Sequence, residues 1–177
     1  MEPAVQYVVK RLRLREAVIL TLASLLASLE AIGATSPTIL LGALLFIPLA
    51  LLHELTHCLV ARRFSRDARI RPLLKYGALA LDYGRLTRNE FVAVALMPQL
   101  VIEAPLAAAW LLSGGQLYLV LALLHLAGSA LDVISGVKML VEASPRSVVS
   151  VLYDEGGGIA GSVVEDPSRR LATVYLL

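Results

Sequence analysis

Four apolar runs, at 17–32, 38–61, 91–112 and 117–140, dominate this 177-residue chain. Each comes near the roughly 20 residues that a helix needs to cross a hydrocarbon core. Composition agrees: 58% of residues are hydrophobic and 17% charged, against about 25% charged in an ordinary soluble domain. The expected fold class is therefore an all-α integral membrane bundle of four transmembrane helices. The first run is the weakest, being short and carrying Glu30 near its end. The basic "KRLRLR" before it resembles the start of a signal peptide, but "SLEAIGATS" is a poor cleavage site, so the run is read as a retained helix.

Basic residues order these runs across a membrane. Lys10, Arg11, Arg13 and Arg15 precede the first run, and eight more, from Arg62 to Arg88, fill the connection between the second and third. Lys138, Arg146, Arg169 and Arg170 lie at or beyond the end of the fourth. The other two connections, "GATSPT" and "SGGQ", hold none. The positive-inside rule then puts both termini and residues 62–90 in the cytoplasm of a multi-pass cell-membrane protein.

Between the second and third runs, "ARIRPLLKYGALALDYG" is punctuated by Pro72 and by Tyr76-Gly77, with apolar residues in short runs. A short β-hairpin at the inner interface fits this better than a helix. The end of the chain has the same character, with β-rich runs on either side of the glycines at 156–158 and a third in "LATVYLL". The division expected is a four-helix membrane domain at 1–143 and a short cytoplasmic β-rich segment at 144–177. In the second run, Ser36 reads as a cap with Pro37 opening the helix, and Pro48 as a tolerated membrane proline that kinks it. The single Cys58 excludes an internal disulfide and any Cys-rich zinc module.

The second run also contains His53-Glu54-Leu55-Thr56-His57. Positions four apart on a helix differ by about 40° of rotation and 6 Å of rise, so both imidazoles point the same way and can share one tetrahedral metal. Glu54 sits one step round, where its carboxylate can act as a general base towards water. Ionisable side chains in a membrane helix cost about 2.5–3.5 kcal/mol each on insertion scales, and three in five positions need a strong reason to persist. The spacing is that of zinc hydrolases, and one Zn²⁺ per chain is the cofactor expected.

A third ligand can be chosen by depth. His57 and His53 lie five and nine residues before Arg62, and Asp132 lies six before Lys138, at a matching level. His125 is thirteen residues before Lys138, too shallow by at least about 6 Å. Glu103, about twelve residues from the inner end of the third run, is the alternative to Asp132. His125 shares a face with Asp132, so it either lines the same cavity, contacting substrate or an oxyanion, or is hydrogen-bonded within the bundle. Gly128 and Ser129 allow a close helix approach there.

With "HELTH", "LALLHLAGSALD" and "LTRNEFVAVALMPQLV" in place, the chain resembles the site-2 protease group of intramembrane zinc metalloproteases. It is still more similar to the small four-helix zincin peptidases related to them, over roughly residues 39–140. The resemblance implies that His53, His57 and Asp132 bind zinc, that Glu54 activates water, and that a peptide bond in or near a transmembrane segment is cut. Val133 follows Asp132, and no Asn-Pro precedes it, where site-2 proteases carry Asn-Pro and Gly.

An extended substrate could add to the strand edge at Ala78, Leu79, Ala80 and Leu81, by β-augmentation. Cys58 should face away from the metal and pack in the core, and Gln99 should hydrogen-bond within the bundle. The partners expected are a membrane-protein substrate and the lipid bilayer, with the basic 62–75 stretch meeting anionic head groups. No aromatic residues interleave with those charges, so nucleic acid is not expected. The rival reading is a non-catalytic metal-binding membrane protein, either a pseudoprotease or a zinc transporter. The retained Glu54 argues against the first, and the dry outer halves of the second and fourth runs against the second.

Overall fold

In the computed structural model, residues 6–11, 33–73, 78–155, 159–169 and 171–176 are described, together with Thr21, Leu25 and 28–30. The first apolar run thus lies largely outside the described residues. The longest element is helix α1 (Ser36–Phe64), which runs through Pro48 and is capped at Thr35, one residue before the expected Ser36. A second long helical stretch is made of α2 (Arg88–Pro98), a π-helical turn (Gln99–Glu103) and α3 (Ala104–Ser113). Its start is set by a capping box in which the Thr87 hydroxyl accepts from the Glu90 N–H and the Glu90 carboxylate accepts from the Thr87 N–H.

The fourth run is not one straight helix. It divides at Ser129 into α4 (Gln116–Gly128) and α5 (Ala130–Glu142), bent by 58°. By length and composition, Ser36–Phe64 and Arg88–Ser113 are long and apolar enough to cross a membrane, and the α4–α5 pair makes a third span if counted as one. The outward side chains of α1, including Leu40, Leu44, Ile47, Leu51, Leu55 and Leu59, are exposed on the protein, as lipid-facing residues would be. Helix α1 packs on α4 and α2, and α2 packs on α5. Small residues make these approaches close. A methyl group added at Gly42 would lie 2.7 Å from a Val120 methyl, one at Gly128 3.0 Å from Phe46, and one at Gly136 2.9 Å from Leu96.

Strands form two sheets. The expected hairpin is present as β2 (Arg69–Leu73) and β3 (Ala78–Asp82), antiparallel with Arg69 opposite Asp82. The larger sheet departs from the all-α expectation. It has five strands in the order β1-β7-β6-β5-β4, where β1 is Gln6–Arg11, β4 Arg85–Thr87, β5 Val148–Tyr153, β6 Ile159–Asp166 and β7 Leu171–Leu176. Three strands come from the C-terminal segment as expected, but β1, in parallel with β7, and β4, against β5, come from elsewhere. Reading Lys10 and Arg11 as part of a basic helix flank missed that an alternating strand can carry those charges. The strand β4 is three residues long, too short to show a period.

One buried carboxylate ties hairpin to sheet. Asp82, 4% exposed, accepts from Arg71 Nε at 2.7 Å, from Arg69 Nε at 3.2 Å, and from the Tyr153 hydroxyl at the end of β5. Burial alone would raise the Asp82 carboxyl, but the hydrogen bonds from Tyr153, Arg69 and Arg71 outweigh it and hold the group below its ordinary value. A depressed carboxyl stabilises the fold above the unfolded-state pKa, and that stability is lost as pH falls through the folded one. Asp82→Asn should therefore cost about 1.5–3 kcal/mol at pH 7, the range for hydrogen bonds to a charged group. Denaturant unfolding should show the gap to wild type closing as pH drops below about 4.

Candidate metal centre

Helix α1 turns His53 and His57 inwards, and both are buried, at 7% and 6% exposed. Their rings are almost perpendicular (85°), with centroids 4.5 Å apart. From the first turn of α5, Asp132 Oδ2 reaches to 3.2 Å from His53 Nε2 and 3.6 Å from His57 Nε2. The two Nε2 atoms are 2.9 Å apart. Three metal-type donors, one from each residue, thus lie within 4.8 Å of one another.

Each histidine spends its other nitrogen elsewhere. His57 Nδ1 donates to the Val94 carbonyl of α2 at 2.8 Å. That carbonyl is free to accept because the residue four positions on is Pro98, which has no N–H for the helical bond. His53 Nδ1 lies 2.9 Å from Nε2 of His125, and His125 Nδ1 lies 3.2 Å from Glu103 Oε1. With Nδ1–H given to Val94, a neutral His57 turns an unprotonated Nε2 towards His53 and Asp132. Lone pairs and a carboxylate packed this closely repel one another unless a cation lies between them. Ligands about 2.0–2.1 Å from a tetrahedral zinc are roughly 3.3 Å apart, and the three donor separations here bracket that spacing. The donor set fits zinc: two imidazoles and one carboxylate, with room for a fourth ligand.

Glu54, Asp132 and His57 share a cavity of about 230 Å³ with Ser135, Leu81 and Tyr83. Leu81 belongs to β3, so the hairpin forms one wall. Of the strand-edge residues expected, Leu81 is on that wall, and the backbone of 78–80 continues the same strand.

The other candidates fall as follows. His125 is 2% exposed, and its ring nitrogens lie against His53 and Glu103. Glu103 reaches His125 and not the three-donor cluster. Cys58 is buried, its thiol 3.9 Å from the Ala68 carbonyl. The Gln99 amide has no hydrogen-bond partner among the described residues, against the bundle role expected of it. The Val94 carbonyl was missed by sequence reasoning, although Pro98 was its signal.

The cluster makes a direct forecast about metal content. Purified protein should carry about one zinc per chain by elemental analysis, and His57→Ala or Asp132→Ala should reduce it severalfold, because two protein ligands rarely retain zinc.

A family model described as "Putative zincin peptidase" matches residues 46–148, from the turn of α1 before the histidines to the first residue of β5. No curated protein and no solved structure matches the chain.

Proposed function

Because the chain belongs to this putative zincin peptidase family, we propose that it is a zinc-dependent endopeptidase of the site-2 protease kind, cutting peptide bonds in or near transmembrane segments of membrane-protein substrates. The observation that carries the reading is the convergence of His53, His57 and Asp132 beside Glu54, in a cavity among helices whose outer faces are leucine-rich. In this reading the spans are four: the 17–32 run, α1, the α2–π–α3 stretch and the bent α4–α5 pair. Positive residues then put both termini, the hairpin and the five-stranded sheet in the cytoplasm. His57 precedes Arg62 by five residues, which sets the chemistry near the cytoplasmic face, in contact with the lipid bilayer.

Zinc held by His53, His57 and Asp132 would supply Lewis acidity towards a carbonyl and a water. The chain's own residues do the rest. Glu54, adjacent in sequence to His53 and on the cavity wall, takes a proton from the attacking water and delivers it to the leaving amine. Val94 fixes the His57 ring, and apolar Leu81, Phe91 and Ala95 keep the cavity low in water.

A substrate in a helix hides its peptide bonds and must extend before cleavage. Strand β3 offers an edge for this, since among the described residues it pairs with β2 alone. Pro72, opposite Leu79, has no N–H to give and so suits the non-hydrogen-bonded class of antiparallel pair. In that class the N–H and C=O of Leu79, and of Leu81 two residues on, point to the open edge. A substrate strand would bond there, its scissile bond led past Glu54.

Two experiments test the proposal. Glu54→Gln should keep its zinc yet lose cleavage of a membrane-anchored reporter by at least about 100-fold, the scale of a lost general base. Equal cleavage by variant and wild type would instead mean a non-catalytic metal protein. Leu79→Pro, which removes an outward N–H while leaving the β2 ladder intact, should raise KM or abolish turnover at unchanged zinc content. Turnover equal to wild type would remove the strand edge from the mechanism.

A further inference from the structure

Behind the cluster lies a second carboxylate that water activation does not use. Glu103 Oε1 is 3.2 Å from His125 Nδ1, and His125 Nε2 is 2.9 Å from His53 Nδ1. Resting on the reading that the three-donor cluster holds zinc, we propose that Glu103 and His125 are a positioning relay, two residues deep, that fixes the tautomer and ring orientation of His53.

The wiring has only two directions. If the Glu103 carboxylate accepts from His125 Nδ1–H, then His125 Nε2 accepts from His53 Nδ1–H, and His53 Nε2 is left with its lone pair towards Asp132 and His57. In the opposite direction Glu103 is protonated and donates to His125 Nδ1, His125 Nε2–H donates to His53 Nδ1, and His53 carries a further proton on Nε2 and cannot be a ligand there; that state holds one proton more than the first. Metal binding through Nε2 therefore requires the first direction, and an ionised acceptor at Glu103 enforces it. Ligating histidines commonly donate their second nitrogen to a carboxylate; here an imidazole is interposed.

The fold builds this arrangement through two helix irregularities. At about 100° per residue, Glu103 in an uninterrupted helix would lie about 80° round from Ala95, which lines the cavity. The extra residue taken up by the π turn at Gln99–Glu103 changes that offset to about 20° in the other direction, so Glu103 returns to the face that carries Ala95. On the facing helix, the 58° bend at Ser129 lets His125 address His53 Nδ1 while Asp132 addresses Nε2 of the same ring. Burial of His125 at 2% exposure keeps water from replacing either bond.

The test uses full-length protein in detergent, with zinc affinity measured by competition against a chromophoric chelator. His125→Phe and Glu103→Leu should each weaken zinc binding about 10–100-fold, the usual effect of losing a partner behind a metal ligand. His125→Gln, whose amide oxygen can accept from His53 Nδ1–H, should recover a large part of the loss seen in His125→Phe. Long-range ¹⁵N-histidine spectra of the zinc-loaded wild type should show His53 coordinated through Nε2 with its proton on Nδ1, and His125 with its proton on Nδ1. A proton on Nε2 of His125 would overturn the relay, whether or not the variants fold, and so would unchanged affinity in folded His125→Phe and Glu103→Leu. Absence of zinc from the wild type would instead overturn the metal reading itself.

Discussion

The inward convergence of two imidazole nitrogens on one carboxylate oxygen organises this helical bundle. His53 Nε2, His57 Nε2 and Asp132 Oδ2 lie 2.9–3.6 Å apart, with both histidines buried and the Asp132 side chain partly open to the cavity. An arrangement of donors with no intervening proton is unstable by itself and stable around a cation. Much of the surrounding structure follows from holding it. Helix α1 carries two of the donors at a spacing of four, α2 presents a carbonyl freed by Pro98, and α5 begins just before Asp132. The close helix contacts at Gly42, Gly128 and Gly136 bring those three donors within reach.

Irregular backbone accumulates at this level of the bundle. The π turn at Gln99–Glu103, Pro98 inside its helix, and the bend at Ser129 each interrupt a regular hydrogen-bond ladder, which costs stability in an apolar setting. Each interruption has a geometric use: Pro98 releases the Val94 carbonyl for His57, the π turn rotates Glu103 onto the inner face, and the bend separates His125 from Asp132 around one ring. Helical regularity is kept along the exposed leucine-rich face of α1 and given up where polar side chains must meet.

The sequence made some of this legible and hid the rest for physical reasons. The His-Glu-x-x-His spacing needs only a straight helix, so the histidine pair could be read from one run. Asp132 could be matched to it by counting back from the basic residues Arg62 and Lys138 at which the two runs end. The hairpin at β2–β3 and the strands after Ser144 announced themselves through turn residues and β-rich runs. By contrast, the break at Ser129 has no proline, and a leucine-rich run reads as continuous whether or not the chain bends within it. The first strand was hidden because "VVKR" satisfies both a membrane flank and an edge strand, and only its pairing with β7, more than 160 residues away, decides. Depth counting set His125 apart from the third-ligand position, and the three-donor group does leave it out, while its ring reaches His53 Nδ1 from the other side.

The hairpin joins these two levels of organisation. Leu81 and Tyr83 line the cavity, while Asp82 between them points to the opposite side of the strand, as alternation requires. There it meets Arg69, Arg71 and the Tyr153 hydroxyl. Under the substrate addition proposed above, a strand held on one face by buried charge-assisted bonds would receive an extended chain without itself deforming, because its ordering cost is met on folding and not on binding. The five-stranded sheet meets the hairpin through Tyr153 at the end of β5, and it also packs behind the cavity wall, where Leu86 of β4, Val149 of β5 and Val164 of β6 share a core with Tyr83 and Val94.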